Sequence, residues 1–275
     1  MNDIMVGWND SMWTGVFLGA LGVLSTDEWP YAWLILELNL ISFIPILTKT
    51  WSMKKLIILY FIVQRVGSLA ILTSGLVSDR STRFRQWALL GLLLKARLAP
   101  FHFWGGEMVV SINRGMTCLF LTWQKIAPLA ILLRYSNLAI MVFLNLLVAA
   151  RCSVASKKLR LVIFFSGLIN ICWVLVAPRT MAYKYFILYC IISAPIFFLN
   201  TNPFLILNIA GLPPMSGFLI KLRVLQTINV DMGIVLLTFS VPILYAYMRV
   251  FVLSPSKWKI NITTLFICSV GMMVF

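Results

Sequence analysis

Long apolar runs separated by short polar connections set the rhythm of this chain. A membrane-spanning helix needs about 20 predominantly apolar residues, with about 17 at the lower end. At that scale eleven stretches stand out, at roughly 11–26, 29–48, 56–78, 86–104, 115–133, 136–150, 161–177, 185–200, 203–226, 232–248 and 260–275. The sixth and the last are short, and the uncharged run 185–220 is expected to divide at Thr201-Asn202-Pro203. The pattern predicts an all-α multi-pass membrane protein with about eleven transmembrane helices in a single transmembrane domain, residues 1–275. No soluble domain is expected, because the longest polar loop is about ten residues.

Composition sharpens this picture. The chain is 61% hydrophobic and 11% charged, whereas a soluble domain carries roughly 25% charged residues. Asp3 and Asp10 precede the first apolar run, and STDEWP follows it without a small-residue cleavage site, so that run is read as a permanent helix. The net charge of +15 is spread in ones to fours between apolar runs, which points to membrane-facing loops rather than a nucleic-acid partner. Alternating the loops places eleven basic residues on the N-terminal side against seven opposite. That bias predicts an inner N-terminus and, with an odd number of helices, an outer C-terminus. Cys118, Cys152, Cys172, Cys190 and Cys268 show no metal-ligand spacing, and the single His102 cannot supply two axial ligands. These cysteines read as small apolar filler, and no metal site is expected.

Charges inside the apolar runs carry the functional signal. Glu37, Arg65, Lys95, Arg97, Lys125 and Lys221 lie within them, and each charge near a bilayer centre costs at least about 2.5 kcal/mol. Snorkelling to the surface is an open alternative for Arg97 and His102 near the end of the fourth run. Glu37 and Lys125 are central in theirs. Prolines accompany the lysines: Pro100 is expected to free the carbonyl of Ala96, Pro128 that of Gln124, and Pro213 and Pro214 those of Ile209 and Ala210. Burial disfavours a charged amine and a neighbouring carboxylate restores it, so moving the carboxylate's influence loads or unloads a proton. Glu37, Lys95, Lys125 and Lys221 therefore suit a hydrated relay.

Order along the chain adds a pointer. Splitting the first ten helices into two sets of five, about 11–133 and 136–248, places the proline-broken, lysine-bearing helices 4 and 9 fourth in each set, with 260–275 left as a last helix. Five is odd, so the second set is expected to be inverted, an arrangement that marks transport pathways.

The segments KARLAPFHFW, TWQKIAPLAILL and GLPPMSGFLIK, together with WLILELNLISFIPIL, resemble the NADH-ubiquinone oxidoreductase chain 2 family, the antiporter-like membrane-arm subunits of mitochondrial respiratory complex I. The resemblance runs in order from about Glu28 to Arg249. It implies inverted five-helix repeats, from a fold whose animal members have lost their first three helices. It also implies proton translocation driven by quinone reduction elsewhere in the complex. The pathway residues it implies are Glu37, Lys95, His102, Lys125 and Lys221. This chain would bind no cofactor, with FMN, iron–sulfur clusters and ubiquinone on other subunits. Implied partners are other membrane-arm subunits and lipids including cardiolipin, in the inner mitochondrial membrane, with the N-terminus in the matrix and the C-terminus in the intermembrane space. The chain departs from the family where glycine is replaced by Arg97, a small residue by Arg65, and a frequent histidine by Asn170. Arg65 and Arg97 are thus candidate modulators, competing with Lys95 for Glu37. An independent cation/proton antiporter, or a structural subunit that no longer pumps, fits the same residues.

Overall fold

A computed structural model describes residues 2–26, 28–50, 53–76, 82–135, 138–198, 203–213 and 215–253. Every regular element among them is an α-helix, in the order α1 (Asn2–Ser25), α2 (Trp29–Thr50), α3 (Lys54–Leu76), α4 (Thr82–Ala96), α5 (Phe103–Ser111), α6 (Arg114–Leu121), α7 (Trp123–Leu132), α8 (Ala139–Ala155), α9 (Leu159–Val176), α10 (Arg179–Phe198), α11 (Pro203–Ala210), α12 (Ser216–Thr227) and α13 (Val230–Leu253). Among the described residues six spans are long and apolar enough to cross a membrane: Trp29–Lys49, Lys54–Gly75, Arg114–Leu132, Leu159–Val176, Arg179–Phe197 and Val230–Val250. Ser11–Ser25, Gln86–Ala96 and Ala139–Ala155 are shorter apolar helices. The chain is an integral membrane protein.

The described helices do not reproduce the eleven expected runs one for one. The fourth run stops at Ala96 and resumes as α5, and the ninth is two short helices, α11 and α12. The fifth is interrupted at Thr122, whose hydroxyl and backbone N–H both donate to the Cys118 carbonyl, at 2.7 and 2.9 Å. A hydroxyl that bonds back to the carbonyl four residues earlier bends a helix. The 260–275 helix, Cys268, the Thr201-Asn202 divide and Pro214 lie outside the described residues.

The chain forms two compact units, Met1–Ser136 and Asn137–Phe275. In the first, α2 packs between α1 and α3, α3 lies along α4, and α7 packs against α1 and α4. Indole donors link these helices: Trp29 and Trp33 of α2 donate to the carbonyls of Ile71 and Ser68 on α3, at 3.2 and 3.1 Å, and Trp123 donates to the Val16 carbonyl at 3.1 Å. The α3–α4 contact depends on facing glycines, since a Cβ at Gly91 would stand 2.6 Å from the Gly67 carbonyl. Small residues of this kind let membrane helices approach backbone to backbone.

In the second unit α9 is buried continuously from Val162 to Val174. A helix apolar on all sides belongs at the centre of its bundle, and α8, α10 and α13 pack around it. Asn145 of α8 donates to the Leu168 carbonyl at 3.0 Å, and the Tyr247 hydroxyl of α13 donates to Ser166 Oγ. Arg249 caps the end of α8 through the carbonyls of Val154 and Ser156.

Candidate functional site

Glu37 is the ninth of 22 residues in α2 and sits on the helix's inner stripe. Leu36, Asn39, Leu40 and Phe43 are buried with it, whereas Leu34, Leu38 and Ile41 face outward. Its carboxylate meets two cations: Arg65 Nη1 lies 2.6 Å from Oε2, and Lys95 Nζ lies 4.0 Å from Oε1. At an effective dielectric of 20 these separations correspond to Coulomb terms of about 6 and about 4 kcal/mol. The Arg65 side chain is 40% exposed and that of Lys95 3%. Arg65 is the close partner, and Lys95 stands at the limit of an ion pair.

Lys95 is held there by the way α4 ends. Leu98 N donates to Leu93 O at 3.0 Å and Arg97 N to Leu94 O at 3.3 Å, with Arg97 at φ +60°. Those two bonds around a left-handed residue form a Schellman cap, whose central position ordinarily belongs to glycine. The helix therefore stops before Pro100 rather than being kinked by it. Gln64 Nε2 takes one of the open carbonyls, that of Lys95, at 3.4 Å.

Arg97 does not pair with Glu37, against the expectation that it competes for the carboxylate. Its buried guanidinium lies 3.7 Å from the centre of the Phe120 ring and donates through Nη1 to the Phe120 carbonyl at 2.7 Å. The left-handed backbone turns this side chain toward α6 and away from α2. Asn39, Tyr60, Gln64, Lys95, Arg97 and Gln124 line a cavity of about 20 Å³, room for one water. Gln124 donates to Asn39 Oδ1 at 3.2 Å across it. Lys125, next to Gln124, is fully buried, and Pro128 lies inside α7 beside the cavity. His102 is half-buried at the N-terminus of α5, its carbonyl accepting from Gly105 at 3.2 Å.

The second unit has the same kind of break. Leu212 N donates to Leu207 O at 3.4 Å and Gly211 N to Asn208 O at 3.1 Å, with Gly211 at φ +80°. The sequences at the two ends correspond: Ala96-Arg97-Leu98-Ala99-Pro100 and Ala210-Gly211-Leu212-Pro213-Pro214. The Ala210 carbonyl, left open where α11 stops, accepts from Lys221 Nζ at 2.9 Å. Lys221 also lies 5.9 Å from the Trp173 ring centre. Buried Asn208 joins the two half-helices, its Oδ1 accepting from Ser216 Oγ at 3.1 Å and from Gly217 N at 2.9 Å. A second cavity of about 20 Å³ is lined by Asn170, Tyr185, Tyr189, Asn208 and Lys221, among others. Tyr185 donates to Asn170 Oδ1 at 2.9 Å.

Sequence reasoning passed over Asn39, Gln64, Gln124, Asn208 and Tyr185. For the four amides, a carboxamide in an apolar run was the available signal, most clearly where Gln64 and Gln124 directly precede Arg65 and Lys125.

No protein-family profile matches the chain. Known proteins do: it is 29% identical over 296 residues to NADH-ubiquinone oxidoreductase chain 2 of Anopheles gambiae, covering 90% of this chain and 84% of the relative. The same-named protein of Paradoxurus hermaphroditus is 28% identical over 285 residues, at 85% and 82% coverage. The chain is similar over most of its length to NADH-ubiquinone oxidoreductase chain 2. The resemblance drawn from the three motifs thus extends over 85% to 90% of the chain. Among solved structures, a chain of respiratory complex I from Thermus thermophilus with bound Aureothin matches with TM-score 0.76 at 18% identity, over 94% of this chain and 74% of that one. A chain of the Mrp complex from Dietzia sp. DQ12-45-1b matches with TM-score 0.72, also at 18% identity, over 86% and 58%. The fold is shared with these two chains.

Proposed function

We propose that this chain is a proton-translocating membrane-arm subunit of NADH:ubiquinone oxidoreductase in the inner mitochondrial membrane. Its N-terminus lies in the matrix and its C-terminus in the intermembrane space. The five-helix sets are inverted repeats. Redox chemistry belongs to subunits that hold FMN, iron–sulfur clusters and ubiquinone, and neighbouring subunits and lipids such as cardiolipin cover the outer faces. The observation that carries the reading is the placement of Lys95 and Lys221 at capped helix breaks, each against a small polar cavity, with Glu37 facing Lys95.

Each lysine has an alternative to its present contact. Lys95 at 4.0 Å from Glu37 can close on the carboxylate when Arg65 withdraws, which holds a proton on the amine; Arg65's return releases it. Lys221 donates to a neutral carbonyl, so a proton leaves it without breaking an ion pair. Lys125 supplies the buried amine of α7, with Pro128 nearby leaving the Gln124 carbonyl without its helical donor. His102 stands at the α5 end of the break as the candidate exchanger with the membrane surface.

Likeness to the Mrp chain favours one competing reading, an independent cation/proton antiporter. Purification in mild detergent separates the two. Recovery only within a large NADH-oxidising assembly supports the subunit, whereas ion exchange by the isolated chain in liposomes supports the antiporter.

A further inference from the structure

Arg65 is the twelfth of 23 residues in α3, so its Cα lies about 16 Å along the helix from either end. Its guanidinium cannot rise to the membrane surface while it holds Glu37, which is buried at mid-helix in α2. It is further seated 5.3 Å from the centre of the Phe61 ring, one turn away. Yet its side chain is 40% exposed, at a depth where lipid offers only hydrocarbon and a bare guanidinium is costly. Ile58, Ile62 and Leu69 are exposed on the same stripe as Arg65, at the i, i+4, i+7, i+11 spacing by which one helix seats against another.

We infer that this stripe of α3 is the docking surface for a helix of a neighbouring membrane chain that presents a carboxylate to Arg65 at mid-membrane depth. Charge decides the chemistry of the partner. Glu37 already faces both Arg65 and Lys95, and Arg97 adds a further buried cation to this unit. One carboxylate is too few for that set, and a lipid phosphate is confined to the interface by the roughly 30 Å hydrocarbon layer. A partner carboxylate also gives Arg65 somewhere to go, leaving Glu37 to Lys95, so docking and the relay are coupled through one guanidinium. The inference rests on the membrane-subunit reading above.

The test is a map of the assembled complex purified in lipid nanodiscs, at a resolution that separates side chains. A carboxylate of a different chain within about 4 Å of the Arg65 guanidinium is the expected result. Lipid, a second copy of this chain, or no acid other than Glu37 at that position overturns the inference. A chemical arm uses Arg65→Lys in the complex treated with dicyclohexylcarbodiimide, which joins an amine to an adjacent carboxylate by an amide. Mass spectrometry is expected to find position 65 linked to an Asp or Glu of another chain, and the link is lost in Arg65→Met. A link to Glu37 alone overturns the inference, and if Arg65→Lys does not assemble, the map decides. Recovery of the chain without companion subunits sinks both this inference and the proposed function; companions that bring no acid to Arg65 sink this inference only.

Discussion

Replacing Arg97 by glycine and, separately, by alanine isolates the backbone strain at the end of α4. Both changes remove the guanidinium, its bond to the Phe120 carbonyl and its contact with the Phe120 ring, so those losses cancel between the variants. What remains is the backbone at φ +60°, which glycine adopts freely and alanine at a cost of about 1–2 kcal/mol. In an ordinary helix interior the order is reversed, with alanine favoured by about 1 kcal/mol. Arg97→Gly should therefore be the more stable variant by about 1–2 kcal/mol, a factor of roughly 5–30 in the folding equilibrium. The assay is SDS titration of each variant in mixed micelles, read by tryptophan fluorescence. Equal midpoints, or a more stable Arg97→Ala, would refute the Schellman cap at this position.

Gly91→Ala should push α3 and α4 apart, because its Cβ would meet the Gly67 carbonyl at 2.6 Å. An overpacking cost of about 1–3 kcal/mol is expected, together with a Lys95–Glu37 separation beyond 4.0 Å, measured in a structure of the variant. Asn208→Ala removes the acceptor shared by Ser216 and Gly217 and should cost about 1–3 kcal/mol for the buried donors left open. Hydrogen exchange at the start of α12 should rise in that variant, and unchanged protection there would count against Asn208 as the clamp.

Much of the fold was legible because apolar length is a coarse signal that survives local irregularity. The runs at 29–48, 56–78 and 161–177 became α2, α3 and α9 with small shifts at their ends. Places where hydrogen bonding overrides hydrophobicity were harder to read. The 86–104 run was expected to break at Pro100, but the cap that ends α4 at Ala96 was not read, because Arg97 hides a position that glycine would have announced, as Gly211 does at the corresponding break. Glu37, Lys95 and Arg65 could be nominated from the cost of burying charge, but which cation takes the carboxylate depends on helix rotation. Neutral amides such as Asn39 and Asn208 carried no comparable cost, so they were passed over although Asn39 bonds across the cavity and Asn208 joins the half-helices at the break.

Lys125 offers the most direct test of the central claim, being fully buried in α7 where a methionine of similar length preserves packing. The measurement is the number of protons translocated per electron by the assembled complex carrying Lys125→Met, in sealed vesicles. Normal assembly with a lowered proton-to-electron ratio is expected. A variant that assembles, reduces quinone and keeps the full ratio would contradict it.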